Sequence, residues 1–178
     1  MDNFHISDSC DATVTRKTGG YYTVKCHDAQ GSLKWEDDIH NLVTTVGLNL
    51  TCDTMLGNSA AGAIYMGLKG TGTAAAGDTQ ASHGTWNEVG LANAPTYTGN
   101  RQTPTFSAAS GGVKTTSSAV VFSMTSSGTV AGCFINIGGS ATKDNTTGTL
   151  FSAGDFTAGS KTVTSGDTLS VTYTLTAA

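Results

Sequence analysis

Apolar and polar residues alternate along much of this chain, most cleanly from Thr168 to Thr176, TLSVTYTLT. Leu169, Val171, Tyr173 and Leu175 fall on one side of an extended strand and Thr168, Ser170, Thr172, Thr174 and Thr176 on the other, because side chains alternate with period 2. The first row is expected in a core and the second in water. Such a strand needs a second apolar layer to cover it, so the segment predicts a sheet packed on a sheet or rolled into a barrel. Ser165-Gly166-Asp167 reads as a turn that folds Lys161 to Thr164 back as the hairpin partner of this strand.

The same pattern recurs upstream. Tyr21 to His27 and Leu33 to Ile39 flank the turn residues Asp28 to Ser32 and predict the first hairpin, with Leu42 to Val46 continuing as extended chain. Leu48, Cys52, Met55 and Leu56 recur at near-helical spacing and predict the one helix, over 47–56, with Thr45 as its cap. Ala63 to Leu68 reads as a short buried strand. Thr85 to Leu91, Pro104 to Ala108, Val113 to Thr125, Val130 to Ile137 and Thr149 to Phe151 supply further strands between Gly- and Ser-rich turns. About eight or nine strands without alternating helices predict an all-β fold, an antiparallel β-sandwich or jelly roll with one short helix.

Two stretches stand outside this pattern. Residues 1–18 form an N-terminal arm ahead of a single domain over 19–178, and Ala12 to Arg16 could be a short strand within it. Lys69 to Gly84 is a long loop of Gly, Ala and Thr. Long loops in compact domains are commonly used for contacts, so Phe4, His5 and Ile6 of the arm, with Lys69, Thr71, Thr73, Asp78, His83 and Trp86, are the candidate interface residues.

Composition narrows the function. Of 178 residues, 23 are glycine and only 12 % are charged, with a formal charge of -4. These values suit a β-rich, turn-rich chain and give no basic footprint for nucleic acid. No run of 18 apolar residues occurs, and the polar, acidic N-terminus lacks a leader's basic and apolar stretches, so a soluble protein made in a cytoplasm is expected. Cys10, Cys26, Cys52 and Cys133 are scattered, which fits reduced thiols better than a disulfide framework.

The search for chemistry ends in structural readings. Gly154 to Lys161 has one residue too many between its second glycine and its lysine for a phosphate loop, and Gly70-Thr71-Gly72 lacks the third glycine of a dinucleotide fingerprint. Ser82 and His83 are sequence neighbours and point apart in extended chain, and no nucleophile elbow exists. His5, Cys10, Cys26 and His27 have metal-ligating chemistry without a clip spacing, while Asp78, Asp155 and Asp167 follow glycines in turns, where an aspartate usually bonds a nearby backbone amide. Glu36, Asp37 and Asp38 read as a solvated edge, and Trp35 and Trp86 as core or interface anchors. No catalytic residue, metal or cofactor is expected.

Lys34-Trp35-Glu36, His40 to Gly47 and Ala63 to Leu68, followed by Asp78-Thr79, Ala81-Ser82-His83, Trp86 to Val89, Gly148 to Phe151 and Gly166 to Thr172, form an ordered set of landmarks. In these the chain resembles a family of small virion proteins of tailed bacteriophages, over about residues 22–176. The resemblance implies a non-enzymatic particle component and supplies no catalytic residues. At Leu48 to Leu56 the chain departs from that family's pattern, where a more charged helix is expected. The first reading is a capsid decoration or cement protein, located in the virion, bridging the major capsid protein and copies of itself as a homo-oligomer, without nucleic acid or membrane. A tail, collar or fibre-attachment part is the second reading. A receptor- or glycan-binding module is the third, and requires Trp35, Trp86 or Tyr97 exposed in a concave site.

Overall fold

A computed structural model describes residues 18–57 and 59–177. The strands are β1 (Thr18–His27), β2 (Leu33–Val43), β3 (Ile64–Lys69), β4 (Glu88–Val89), β5 (Val113–Thr115), β6 (Val120–Ser123), β7 (Gly128–Val130), β8 (Gly132–Ile137), β9 (Thr149–Asp155), β10 (Lys161–Val163) and β11 (Thr168–Ala177), with one helix, α1 (Thr45–Met55). The all-β class and the single short helix are as the sequence predicts.

Pairing begins with the first hairpin. The carboxylate of Asp28 accepts the amides of Gln30 and Ser32 at 2.9 and 2.8 Å, closing the turn so that β1 and β2 run antiparallel with Tyr22 opposite Ile39. β1 also pairs along its whole length with β11, Val24 opposite Val171. The far edge of β11 takes β6 and β5 in turn. The order is β4-β3-β8-β9-β2-β1-β11-β5, one sheet of nine strands in all.

The two layers expected of a sandwich are two halves of this one sheet, joined at β2. Most of β2 pairs with β1, but Leu42 and Val43 pair with Ala153 and Ser152 of β9. The halves close on a shared core in which Tyr22, Val24, Val171 and Tyr173 meet Met66, Leu68, Cys133 and Ile135. Tyr22 and Ser152 bring their hydroxyl oxygens within 3.3 Å across it. Leu169, Val171 and Tyr173 of β11 are all buried, as their alternation predicts, whereas Leu175 at the end of the row is half-buried.

Several expectations are corrected. Lys161 to Val163 pair with Gly128 to Val130, in a separate two-stranded ribbon, and not with β11. The edge of β11 that such a hairpin would use is held by β6. The side chain of Asp167 instead turns back to accept the amide of Thr164 at 2.7 Å, and Gly166 takes φ +93°. Pro104 to Ala108 forms no strand, only a bridge from Phe106 to Thr116. The helix starts earlier than 47, with Thr44 as its cap accepting the amide of Gly47 at 3.1 Å. Gly47 is buried against Phe151, so closely that a Cβ there would come within 2.3 Å of the Phe151 carbonyl oxygen.

The row that located the helix faces outward. Leu48, Cys52, Met55 and Leu56 are exposed, while Val46, Gly47, Leu50, Thr51 and Thr54 are the more buried positions.

Candidate functional site

Strand β8 explains what the long loops do. Cys133 and Ile135 enter the main core, while Phe134 faces the opposite way into a second cluster with Trp86, Leu150 and Ala153. Both faces of β8 are therefore covered, and the 69–87 segment supplies part of the cover: Ala74 packs on this cluster and Trp86 lies 5.6 Å from the Phe134 ring.

The loop is tied down by its own polar residues. The Trp86 indole donates to Asp78 at 2.8 Å, and the same carboxylate oxygen accepts the Ala75 amide at 2.8 Å. The His83 ring stacks on Trp86 with centroids 4.0 Å apart, and its Nδ1 lies 3.0 Å from the Trp86 carbonyl oxygen. Lys69 is fully buried, pairs with Asp155 and donates to the carbonyls of Gly70 and Gly72, with its ammonium 5.6 Å from the Trp86 ring centre. Four of the candidate interface residues, Lys69, Asp78, His83 and Trp86, thus form one internal cluster. Lys69 is 0 % exposed and Trp86 5 %, which removes both from a surface that a partner could touch on this chain. Thr71 and Thr73 are exposed, and Asp78 and His83 are half-buried. Phe4, His5 and Ile6 lie outside the described residues, as does the possible strand over Ala12 to Arg16.

Beside this cluster lies a second one that the sequence analysis missed. Arg101 and Glu88 are both buried and meet as a two-pronged ion pair, with Nε to Oε1 at 2.9 Å and Nη2 to Oε2 at 2.6 Å. Arg101 also donates to the carbonyls of Ser140 and Asn145, and Glu88 accepts the Asp144 amide at 2.9 Å. Lys143 is buried over the Tyr97 ring, 4.1 Å from its centre, and donates to the Tyr97 carbonyl at 2.8 Å. Burial lowers the Lys143 ammonium's pKa and raises that of the Tyr97 phenol. No motif spacing marks these residues; the one available signal was that a chain with so few charges places a charged residue at each end of a strand-poor stretch.

A polar cavity of about 410 Å3 opens between the two clusters, lined by Ser82, His83, Trp86, Asn87, Glu88 and Asn93 among others. Of the two carboxylates in its lining, that of Glu88 accepts from Arg101 and the Asp144 amide, and that of Asp144 accepts the Ala92 amide, so both are bonded within the fold. Trp86 and Tyr97 are buried, and Trp35 is half-buried with its ring edge-on to Phe156 at 5.5 Å. None of the three stands as an open aromatic platform.

The aspartates that follow glycines have internal partners as well. Asp167 accepts from Lys34 at 2.6 Å and from the Thr164 hydroxyl at 2.9 Å, and Cys26 points its thiol at the same carboxylate from 3.8 Å. Burial, then the nearby Asp167 charge, pushes the Cys26 thiol up to about 11. Cys133 is buried in the main core and Cys52 is exposed on α1. Among the described residues no group of three or more His, Cys, Asp or Glu side chains is placed to hold a metal ion. Among them, too, no helix is long and apolar enough to cross a membrane.

Among the described residues, large apolar side chains also stand exposed. On α1, Leu48 is 42 % exposed, Met55 78 % and Leu56 87 %, and positions seven and eight apart lie on one helix face. No family profile, curated protein or solved structure matches the chain.

Proposed function

We propose that this protein is a non-enzymatic structural component of a bacteriophage particle, a decoration or cement protein that binds the major capsid protein and copies of itself. The observation that carries the binding role is the outward apolar face of α1, with Leu48, Met55 and Leu56 in water. Large exposed apolar side chains grouped on one element mark protein contact sites. This helix is also where the chain departs from the charged pattern expected of the virion family it resembles, so the departure falls on the surface a partner would cover. The virion assignment itself rests on the ordered landmarks from Lys34 to Thr172.

The proposed mechanism is bridging. A rigid body touching two or more shell subunits adds contact area that must be broken before the shell opens, and binding to the closed state alone stabilises it by mass action. The internally bonded 69–87 segment suits such a body because little conformational freedom is left to lose on docking.

The test is quantitative mass spectrometry of purified particles of the phage that encodes the chain, with Leu48→Asp/Leu56→Asp protein in parallel. Hundreds of copies per particle, and loss of the variant from particles without loss of its fold, are expected. One or two dozen copies would move the protein to the tail or collar, and absence from particles would refute the virion role. Normal incorporation of the variant would show that α1 is not the contact.

A further inference from the structure

The polar cavity of about 410 Å3 draws its lining from 80–88, Asn93 and 144–146. Four side chains of that lining are each bonded through one atom and open at another. Asp144 accepts the Ala92 amide through Oδ2 at 2.9 Å, and Asn93 donates to the Glu88 carbonyl through Nδ2 at 3.0 Å. Asn145 accepts the Thr147 amide through Oδ1 at 2.9 Å, and His83 meets the Trp86 carbonyl through Nδ1 at 3.0 Å. The remaining atoms, Asp144 Oδ1, Asn93 Oδ1, Asn145 Nδ2 and His83 Nε2, have no hydrogen-bond partner among the described residues. The first bond of each side chain fixes its orientation, so the second group is set in place before a ligand arrives.

The open groups define the ligand. A carbonyl oxygen only accepts, so Nδ1 of His83 carries the proton and Nε2 of the neutral ring is an acceptor. The open set is therefore three acceptors, one of them on a carboxylate, and one donor. Hydroxyls suit such a set because each both donates and accepts.

Charge and shape narrow it further. The lining holds no lysine or arginine, and the nearby cations are spent, Arg101 on Glu88 and Lys143 on the Tyr97 carbonyl. Asp144 has no ion pair among the described residues. A phosphate or carboxylate would meet that negative charge without a counter-charge, so the ligand is uncharged. The His83 ring, stacked on Trp86 with centroids 4.0 Å apart, gives one wall a flat aromatic part, which suits the C–H face of a ring that carries hydroxyls at its edge. The volume leaves room for roughly one or two such rings.

We infer that this cavity binds a neutral saccharide, held by Asp144, Asn93, Asn145 and His83. Recognition rests on these hydrogen bonds and needs no open aromatic platform. The inference concerns the isolated chain and stands or falls independently of the virion reading.

The test uses the full-length protein and two variants. Asp144→Asn keeps an acceptor for the Ala92 amide and suits the positive φ of 59° at this position, but it replaces the open carboxylate oxygen with an NH2 donor. Ser82 is exposed and is tied to Thr79 through its backbone, so Ser82→Trp fills the cavity without breaking those bonds. Saturation-transfer NMR reads binding of glucose, galactose, mannose, N-acetylglucosamine and lactose, each at millimolar concentration, and amide-correlation spectra locate it. At least one sugar should bind and shift the side-chain NH2 signals of Asn93 and Asn145 and the Trp86 indole signal. Its affinity should fall several-fold in Asp144→Asn and vanish in Ser82→Trp, with both variants melting as the wild type does. Absence of binding by all five sugars would overturn the proposal, as would binding unchanged in Ser82→Trp. Glucuronate binding as tightly as glucose would refute the charge argument, and shifts caused by methylammonium but by no sugar would make the cavity a cation site instead.

Discussion

Breaking the Glu88 and Arg101 pair from one side should be among the most damaging single changes to this fold. In Glu88→Ala the Arg101 guanidinium, 0 % exposed at its side chain, loses both carboxylate contacts at 2.9 and 2.6 Å and keeps the carbonyls of Ser140 and Asn145 and the face of the Phe134 ring, none of them charged. A buried charge left without its partner costs about 3–5 kcal/mol, a large part of the 5–15 kcal/mol typical of a whole domain. For a chain of this length each kcal/mol moves the melting temperature by about 2–4 °C, so a fall of about 6–20 °C is expected. Glu88→Gln should also be costly, because it sets an amide NH2 against a guanidinium and the Asp144 amide, which can only donate. Replacing both partners, as Glu88→Met/Arg101→Met, removes the stranded charge and should cost less than either single change. Thermal and urea melts followed by circular dichroism decide the matter. Single variants that lose less than about 1 kcal/mol, the value of an exposed pair, would refute the reasoning.

Two further outcomes follow from β11 and its turn. Val171→Asp and Tyr173→Asp bury a carboxylate without a partner, at several kcal/mol, and should yield insoluble protein, whereas Thr172→Asp, at a half-buried position of the other row, should remain soluble and cooperatively folded; equal behaviour of the three would refute the register. For Asp167, burial alone would raise the carboxyl's pKa, but the Lys34 ammonium and the Thr164 amide and hydroxyl hold it below its ordinary 3.8. Its contribution is therefore present above about pH 4 and lost as pH falls through the lowered folded value, so wild-type stability should drop on that acid limb and Asp167→Asn should show a shallower drop there, which melting temperatures between pH 2 and 6 will reveal.

The strands were legible where one face is buried and the other wet. Leu169, Val171 and Tyr173 of β11 take the predicted side; on β2, by contrast, Leu33 is exposed and Asp37, read as part of a solvated edge, turns inward to pair with Lys161 at 2.8 Å. β8 was located but its two-sided burial was not, because Gly132 to Ile137 reads as an apolar run broken only by Asn136, and such a run does not say what covers its second face. That omission is also why the 69–87 loop looked free. Its Gly, Ala and Thr content carries no core pattern, yet Trp86 and Asp78, eight residues apart, fold it onto Phe134 through one indole hydrogen bond. The Arg101 pair was illegible for a similar reason: its partners are 13 residues apart, Glu88 on the two-residue strand β4 and Arg101 on irregular chain, so no period could connect them.

Once the long segments are accounted for by internal partners, the places left to meet another molecule change. Lys69 and Trp86 spend their chemistry inside the molecule, and the aspartates at 78, 155 and 167 are bonded to an indole, to backbone amides or to lysines. Among the described residues, the outward row of α1 is one place where large apolar side chains remain in solvent. The row was visible in the sequence as the spacing of Leu48, Cys52, Met55 and Leu56, but spacing alone fixes a helix face and not its direction. Its direction follows from Gly47 and Thr44, whose tight approach to the backbone of Phe151 and Leu150 sets Val46, Gly47, Leu50, Thr51 and Thr54 toward the sheet and leaves Leu48, Met55 and Leu56 in solvent.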